Sequence, residues 1–425
     1  MKTLKVITLG CSKNTVDTEH LLAQLPADNF CVIPIESQQF ADFFLINTCG
    51  FIGDAKEESV NMILDVVQEK KSGRAGRIVV FGCLSQRYSA ELPEEILEVD
   101  AWFGARELKP VVEYLGGTPG DETDRYRTEK KGYAFLKISE GCDRRCSYCA
   151  IPYIRGAHRS VPMEAIVEEA RKLASDGVKE LILIAQDTTY YGLDLYGKRC
   201  IAELTDRLSG IEGIEWIRIH YSYPADFPDD LLDRMASNPK LCKYMDIPLQ
   251  HISDTVLDKM HRNVDGQWTR NLIARMRSRV PGVVLRTTMI TGHPGEGEKE
   301  FDELLDFVRE AKFERLGAFT YSEEEGTYGA RNYADDVPQE VKDSRLDALM
   351  SLQRDLSLEF NRSRVGSVEK VLVDDYVNGT LVCRSQYESP EVDGEILVKG
   401  EAGIGSFINV RITAADEYDL IAEII

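Results

Sequence analysis

The sequence predicts an α/β protein in three parts: an amino-terminal parallel α/β domain, a central partial (β/α)6 barrel and a small carboxy-terminal β-barrel. Three observations point there. Short β-rich runs in the first 125 residues each lead into a polar or helical stretch; a strand and helix rhythm then repeats six times between about 130 and 330; alternating β runs follow from Ser367. A length of 425 residues and a hydrophobic content of 43% allow two to three cores at about 150 residues each. The expected boundaries are 1–125 for the first domain, 126–335 for the barrel, 336–364 for a connecting helix and 365–425 for the terminal barrel.

In the first block the β-rich runs are "LKVITLGC" (4–11), "DFFLINTC" (42–49) and "RIVVFGC" (77–83), and each ends in a cysteine: Cys11, Cys49 and Cys83. Strands of an open parallel sheet share one carboxyl edge, where ligands collect. A single strand cysteine is usually a buried core thiol. Three repeats of the same placement favour a shared site.

The six strands expected of the second block are "AFLKISE" (134–140), "ELILIAQ" (180–186), "EWIRIHYS" (215–222), "YMDIPLQ" (244–250), "VVLRTTMITG" (283–292) and "RLGAFTYS" (315–322). Six units fall short of the eight that close a barrel, so one side stays open and the chemistry belongs at the strands' carboxyl ends. Before the sixth strand, Phe301, Leu304, Leu305 and Val308 fall at helical spacing, as core packing does. The loop "TGHPGEGE" reads as a turn feeding that helix, whose acidic first residues complement its dipole. Leu346, Leu349, Leu352 and Leu356 then mark one face of the connecting helix, opened by Pro338 and closed by Gly366. The runs "VEKVLVDD", "GTLVCRSQ", "GEILVKG" and "SFINVRIT" suit a closed β-barrel of about 60 residues.

Charge restricts the partners. The net charge is -21, and residues 365–425 set four basic against twelve acidic side chains. Such a surface repels phosphate backbones and attracts basic proteins. No stretch approaches the roughly 18 apolar residues of a membrane span, and the apolar start is too short for a signal peptide. The expected location is therefore cytoplasmic, where thiols stay reduced and ten cysteines point to metal or redox chemistry.

"EGCDRRCSYCAIPYIRG" (140–156) places Cys142, Cys146 and Cys149 within eight positions. A structural zinc site needs four closed ligands, commonly from two knuckles, and no second knuckle is near. Cys200, Cys242 and Cys383 are isolated and read as buried or incidental thiols. An iron–sulfur cluster held by only three thiolates keeps one iron open, and an open iron can chelate the amino and carboxylate groups of S-adenosylmethionine. The CxxxCxxC spacing, Tyr148 before the last cysteine and the position after a first barrel strand resemble the radical S-adenosylmethionine (SAM) superfamily.

Over essentially the whole chain, the arrangement is similar to the methylthiotransferase family within that superfamily. The start "LGCSKNTVDTE" resembles the "GCxKNxVDsE" of its ribosomal-protein branch, where the transfer-RNA branch reads "GCQMN"; "DIPLQH" and "RSQYESPEVDG" also look like the former. His293 departs from the pattern, since relatives often carry Phe there. The resemblance implies a radical SAM barrel, a TRAM-like terminal barrel and two 4Fe-4S clusters, the second held by Cys11, Cys49 and Cys83. It implies S-adenosyl-L-methionine both as methyl source and as radical source. The implied product is a methylthio group on the β-carbon of an aspartate in ribosomal protein S-twelve, free or in the small subunit. A reductant protein such as a flavodoxin or ferredoxin is expected to supply the electron. No membrane partner and no direct RNA specificity are expected, and no protein side chain is assigned as a general base.

Tyr148 and the strand-end residues Gln186, Asp187, His220, Gln250, His251, Arg286 and Thr288 are the candidate cofactor contacts, set against ordinary hydrogen bonding in a barrel mouth. The terminal acids Asp374, Asp375, Glu388, Glu391, Asp393 and Glu395 are expected to dock the basic substrate protein. Two other readings compete. A transfer-RNA adenosine methylthiotransferase would be expected to carry a basic terminal barrel, and a non-catalytic iron–sulfur carrier would need neither a barrel nor an open iron.

Overall fold

The computed structural model describes residues 1–425. The chain forms two compact units, one of residues 1–129, 140–144 and 149–159, the other of 130–139, 145–148 and 160–425. No helix is long and apolar enough to cross a membrane.

In the first unit, β1 (Lys2–Thr8), β2 (Phe30–Val32), β3 (Ala41–Thr48), β4 (Ala75–Gly82) and β5 (Ala101–Trp102) form a parallel sheet in the order β2-β1-β3-β4-β5. Central β3 is buried at every position but Asp42. It reads as a continuous apolar run because both of its faces are covered. Ile46 and Ile78 pack with Ile63 and Val66 of α2 (Gly53–Lys71), following α1 (Ser12–Ala23) in the chain; Leu45 and Val79 pack on the opposite face with Leu21 and Leu22 of α1. The strand order reverses between β1 and β3, the kind of switch point where open α/β sheets bind ligands. Three strands were expected from periodicity. The two others are edge strands of three and two residues, too short to show a period.

The second unit holds β6 (Tyr133–Lys137), then, beyond the two-residue strands β7 (Ser139–Glu140) and β8 (Arg159–Ser160), β9 (Glu180–Ile184), β10 (Trp216–Ile219), β11 (Leu241–Asp246), β12 (Val284–Thr291) and β13 (Arg315–Thr320). The six long strands pair in parallel in the order β13-β12-β11-β10-β9-β6, which is the six-stranded open sheet expected. Side chains alternate between its faces. Leu136, Leu183, Ile217, Met245 and Leu285 enter one large core with the covering helices. The helix Gln339–Ser363 adds Leu349 to that core and packs Leu352 and Leu356 against it.

A closed five-stranded barrel ends the chain: β14 (Val368–Val377), β15 (Thr380–Arg384), β16 (Ile396–Lys399), β17 (Phe407–Ala415) and β18 (Leu420–Ile424), in the order β14-β15-β16-β18-β17. The segment between β15 and β16 carries "SQYESPEVDG" against the other face of the six-stranded sheet. Arg218 gives Nη1 to Gln386 O at 2.9 Å and Nε to Glu180 Oε1 at 2.7 Å; Arg384 reaches Glu180 Oε2 at 2.9 Å; Tyr244 Oη donates to Asp393 Oδ2 at 2.6 Å. Phe407 packs edge-on to Trp216 at 4.7 Å between centroids.

These contacts correct the expected docking surface. Glu388 is buried between Arg315 and Arg364, Asp374 pairs with Arg384, and Asp393 is taken by Tyr244 and Arg286. Of the six acids, only Asp375, Glu391 and Glu395 remain exposed. Composition counted charges that the fold spends inside.

Candidate functional site

All three amino-terminal cysteines lie just past strand ends. Cys11 is the N-cap of α1 after β1, Cys49 follows β3 directly, and Cys83 opens the short helix α3 (Cys83–Arg87) after β4. They therefore sit at turns on the carboxyl edge, two of them at the switch point, and not in the strands themselves. Gly10 allows the loops to meet. Its φ is +90°, and a Cβ there would lie 2.7 Å from Cys49 Cβ and 2.9 Å from Cys49 Sγ. Asn14 joins the same loops, giving Nδ2 to Leu9 O at 2.7 Å and to Thr48 O at 3.2 Å. Ser59 Oγ accepts from Cys49 N at 3.0 Å and donates to Cys49 O at 2.9 Å.

One buried cation organises this edge. Arg155 gives Nε to Cys83 Sγ at 3.2 Å, Nη1 to Asp17 Oδ2 at 2.7 Å and Glu140 Oε2 at 3.0 Å, and Nη2 to Asn14 Oδ1 at 2.6 Å. Burial raises the Cys83 thiol to about 11, with Arg155 opposing and the charges of Cys11 and Cys49 adding to the rise. Burial likewise raises Cys49. At Cys11, burial is outweighed by Lys13, Arg155 and the amides of Asn14 and Lys13, and its pKa is lowered. A thiol at a helix N-terminus beside cations is the reactive kind.

In the CxxxCxxC loop, Cys142 N donates to Gly156 O at 3.0 Å. Ser147 is pinned at its backbone, giving N to Met260 O at 3.0 Å and accepting from Gly329 N at 2.6 Å. Arg262 gives Nη1 to Cys146 Sγ at 3.5 Å and to Tyr148 Oη at 3.3 Å. The Tyr148 ring meets His293 edge-on, and His293 in turn meets Tyr321 at 4.9 Å.

The remaining cofactor candidates divide by what they already hold. Asp187 caps a short turn, accepting from Thr189 N at 3.0 Å and Oγ1 at 2.6 Å. His220 Nε2 lies 2.8 Å from Ser389 Oγ, and Arg286 pairs with Asp246 at 2.9 Å. His251 spends both ring nitrogens, Nε2 on Glu296 at 3.1 Å and Nδ1 on Ser253 N at 3.1 Å. Arg286 and Thr288 lie within β12 and not at its end. Gln186 stands just past β9. Gln250 has a φ of +74°, a backbone state that a non-glycine residue holds at a cost and that clusters at functional sites. Tyr148 thus lies in the CxxxCxxC loop and Gln186 and Gln250 just past strand ends, whereas Thr288 is inside β12.

The donor chemistry fits clusters better than single ions. No group of three or more His, Cys, Asp or Glu side chains converges as a metal ion requires. A cluster spreads its thiolates over separate irons, and the Cys49 sulfur lies against Gly10, where a side chain would collide with it. Five of the six site cysteines are at least partly accessible, whereas Cys200, Cys242 and Cys383 are buried, as isolated thiols should be. Sequence reasoning missed Arg155 and Arg262. Arg155 had a signal, a charge in the otherwise apolar "AIPYIRG" directly after Cys149; Arg262 in "KMHRN" had none.

Comparison with known proteins places these features. Residues 136–308 match the Radical SAM superfamily, 3–104 the Uncharacterized protein family UPF0004, and 365–425 the TRAM domain. The chain is 51% identical over 429 residues to the ribosomal protein uS12 methylthiotransferase RimO of Bacteroides fragilis, covering 100% of this chain and 99% of that one. It is 51% identical over 426 residues to that of Porphyromonas gingivalis, covering 99% and 98%. Among solved structures, the radical S-adenosylmethionine methyltransferase TsrM of Kitasatospora setae superposes with a TM-score of 0.57 at 13% identity, covering 78% of this chain and 74% of that one. That likeness shows the fold alone.

Proposed function

This chain belongs to the RimO family of radical SAM methylthiotransferases, and from that premise we propose that it inserts a methylthio group at the β-carbon of an aspartate in ribosomal protein uS12. The observation that carries the reading is the pair of cysteine trios, one at the switch point of the amino-terminal sheet and one in the loop after the first barrel strand. We assign Cys11, Cys49 and Cys83 to one 4Fe-4S cluster and Cys142, Cys146 and Cys149 to the other. When bound, these clusters and S-adenosylmethionine supply one-electron chemistry and sulfur transfer that no side chain can provide.

The chain's own part is to hold and orient. Gly10, Asn14 and Ser59 fix the loops of the first trio; Arg155 supports Cys83. Tyr148, Gln186, Gln250 and Thr288 are the proposed cofactor contacts, with Asp187, His220, His251 and Arg286 maintaining the shape around them. We assign the first cluster to the domain 1–125 and the second to 126–335, with 336–364 as the connector to the terminal barrel 365–425. The exposed acids Asp375, Glu391 and Glu395 suit a basic protein partner better than transfer RNA. A cytoplasmic location and an electron from a flavodoxin or ferredoxin complete the reading.

Anaerobic reconstitution with iron and sulfide, followed by incubation with SAM, dithionite and uS12, tests it. The expected products are 5'-deoxyadenosine and methylthiolated uS12 by mass spectrometry. Modification of transfer RNA in place of uS12 in a direct competition would overturn the substrate assignment.

A further inference from the structure

Each cysteine trio has one buried guanidinium on one of its sulfurs, and the two guanidiniums differ in what neutralises them. Arg155, on Cys83, also pairs with Asp17 and Glu140. Two carboxylates outbalance its single charge before any thiolate is counted. Arg262, on Cys146, has no carboxylate. It gives Nη1 to Cys146 Sγ at 3.5 Å and Tyr148 Oη at 3.3 Å, and Nη2 to Pro248 O at 2.5 Å; its guanidinium lies 4.3 Å from the Tyr223 ring centroid, and its Nε has no hydrogen-bond partner. The side chain is buried, with 3% of its surface exposed. A buried cation without an anion is costly. The anion available to it is the Cys146 thiolate.

We propose that Arg262 sets the reduction potential of the cluster at Cys142, Cys146 and Cys149, raising it by donating to the Cys146 sulfur with no compensating carboxylate. The inference rests on the proposed reading of that loop as a cluster site. Hydrogen bonds to cluster sulfurs and the net local charge both move such potentials. Reduction adds one electron to the cluster and breaks no bond, so a fixed cation beside it favours the reduced state. Burial strengthens the effect, because a low-dielectric surrounding screens the charge little. Arg155 brings a hydrogen bond to the other trio, but Asp17 and Glu140 cancel its charge. Of the two guanidiniums, only Arg262 therefore adds an unbalanced positive charge beside its trio.

Redox titration of the full-length reconstituted protein tests this, following the EPR signal that SAM addition perturbs. In Arg262→Gln, the reduced-to-oxidised ratio of that signal at a fixed solution potential should fall about tenfold, which is about 59 mV for a one-electron couple. Arg262→Lys, which keeps the charge, should stay within about threefold of wild type on the same scale. A fully loaded Arg262→Gln protein with the wild-type midpoint overturns the proposal. Should the Gln variant bind no iron at this site, the Lys variant decides. A loaded Lys variant near the wild-type midpoint upholds a charge role, and an iron-free or strongly shifted one assigns Arg262 to folding of the loop and overturns it. A wild-type chain that binds no iron through Cys142, Cys146 and Cys149 would instead remove the cluster reading itself.

Discussion

Arg315 Nη2 donates to Glu388 Oε1 at 3.0 Å, tying the last strand of the open sheet to the segment between β15 and β16. Arg364 pairs with the same carboxylate, and Ser385 gives it both N at 3.0 Å and Oγ at 2.8 Å. Although burial alone would raise it, Arg364 and Arg315 outweigh that and hold Glu388 at about 2. Its stabilising contribution is thus present above the ordinary carboxylate range and lost as pH falls from about 4 towards 2. Glu388→Gln leaves buried Arg315 without a carboxylate and Arg364 with Glu369 alone, and should cost about 3–5 kcal/mol in urea unfolding.

Acid reversal at the exposed positions should act differently. Changing Asp375, Glu391 and Glu395 together to Lys should leave the fold intact, because surface charges each contribute under about 1 kcal/mol. Binding of uS12 should weaken, and its salt dependence flatten, since these charges act over about 8 Å at physiological ionic strength. Titration of labelled uS12 at several salt concentrations measures both. Unchanged affinity and slope would move the docking surface elsewhere.

Arg155 faces a sulfur and two carboxylates, and no other residue type reaches all three. Arg155→Gln takes the guanidinium away from the buried Asp17 and from Glu140 and should destabilise the protein by about 3–5 kcal/mol. Arg155→Lys keeps the charge but loses the fork, so it should fold and yet retain less iron at the first trio. Iron analysis after desalting, with 5'-deoxyadenosine formation as the control for the other site, reads this out.

His293 is fully buried among Tyr148, Tyr321 and Tyr333. Burial pushes its pKa to about 4, with the nearby charges of His251, Lys259 and Lys342 adding to the fall. An unfolded histidine titrates near about 6.5, so the unfolded chain takes up a proton between about 6.5 and 4 that the folded chain refuses. The contribution, at most about 3 kcal/mol, is complete above that window and lost as pH falls through it. His293→Phe should keep the ring packing and flatten the stability profile there. Urea midpoints at pH 4.5, 5.5 and 7 compare the two, and parallel profiles would contradict the assignment.

The cysteine trios should load separately. Replacing Cys142, Cys146 and Cys149 with Ala should leave roughly half of the iron and abolish 5'-deoxyadenosine. Replacing Cys11, Cys49 and Cys83 should leave SAM cleavage detectable and abolish sulfur insertion. An iron-free first variant would argue against the amino-terminal site.

By itself, the sequence determined the long strands of both parallel sheets to within a few residues, the open six-strand count and the terminal barrel, and it singled out the six cysteines proposed as cluster ligands. These are legible because period-two burial and ligand spacing are local properties of the chain. Tertiary structure alone decided the rest. Whether an acid faces solvent or an arginine depends on which strand lies opposite, so Glu388 and Asp393 read as surface charge and proved to be buried partners. His220 meets Ser389 across 169 residues, and Arg155 meets Asp17 across 138. No periodicity spans such distances. Those long-range polar contacts are where burial forces every charge to find a partner, and they are what separates Arg155, with two carboxylates, from Arg262, with none.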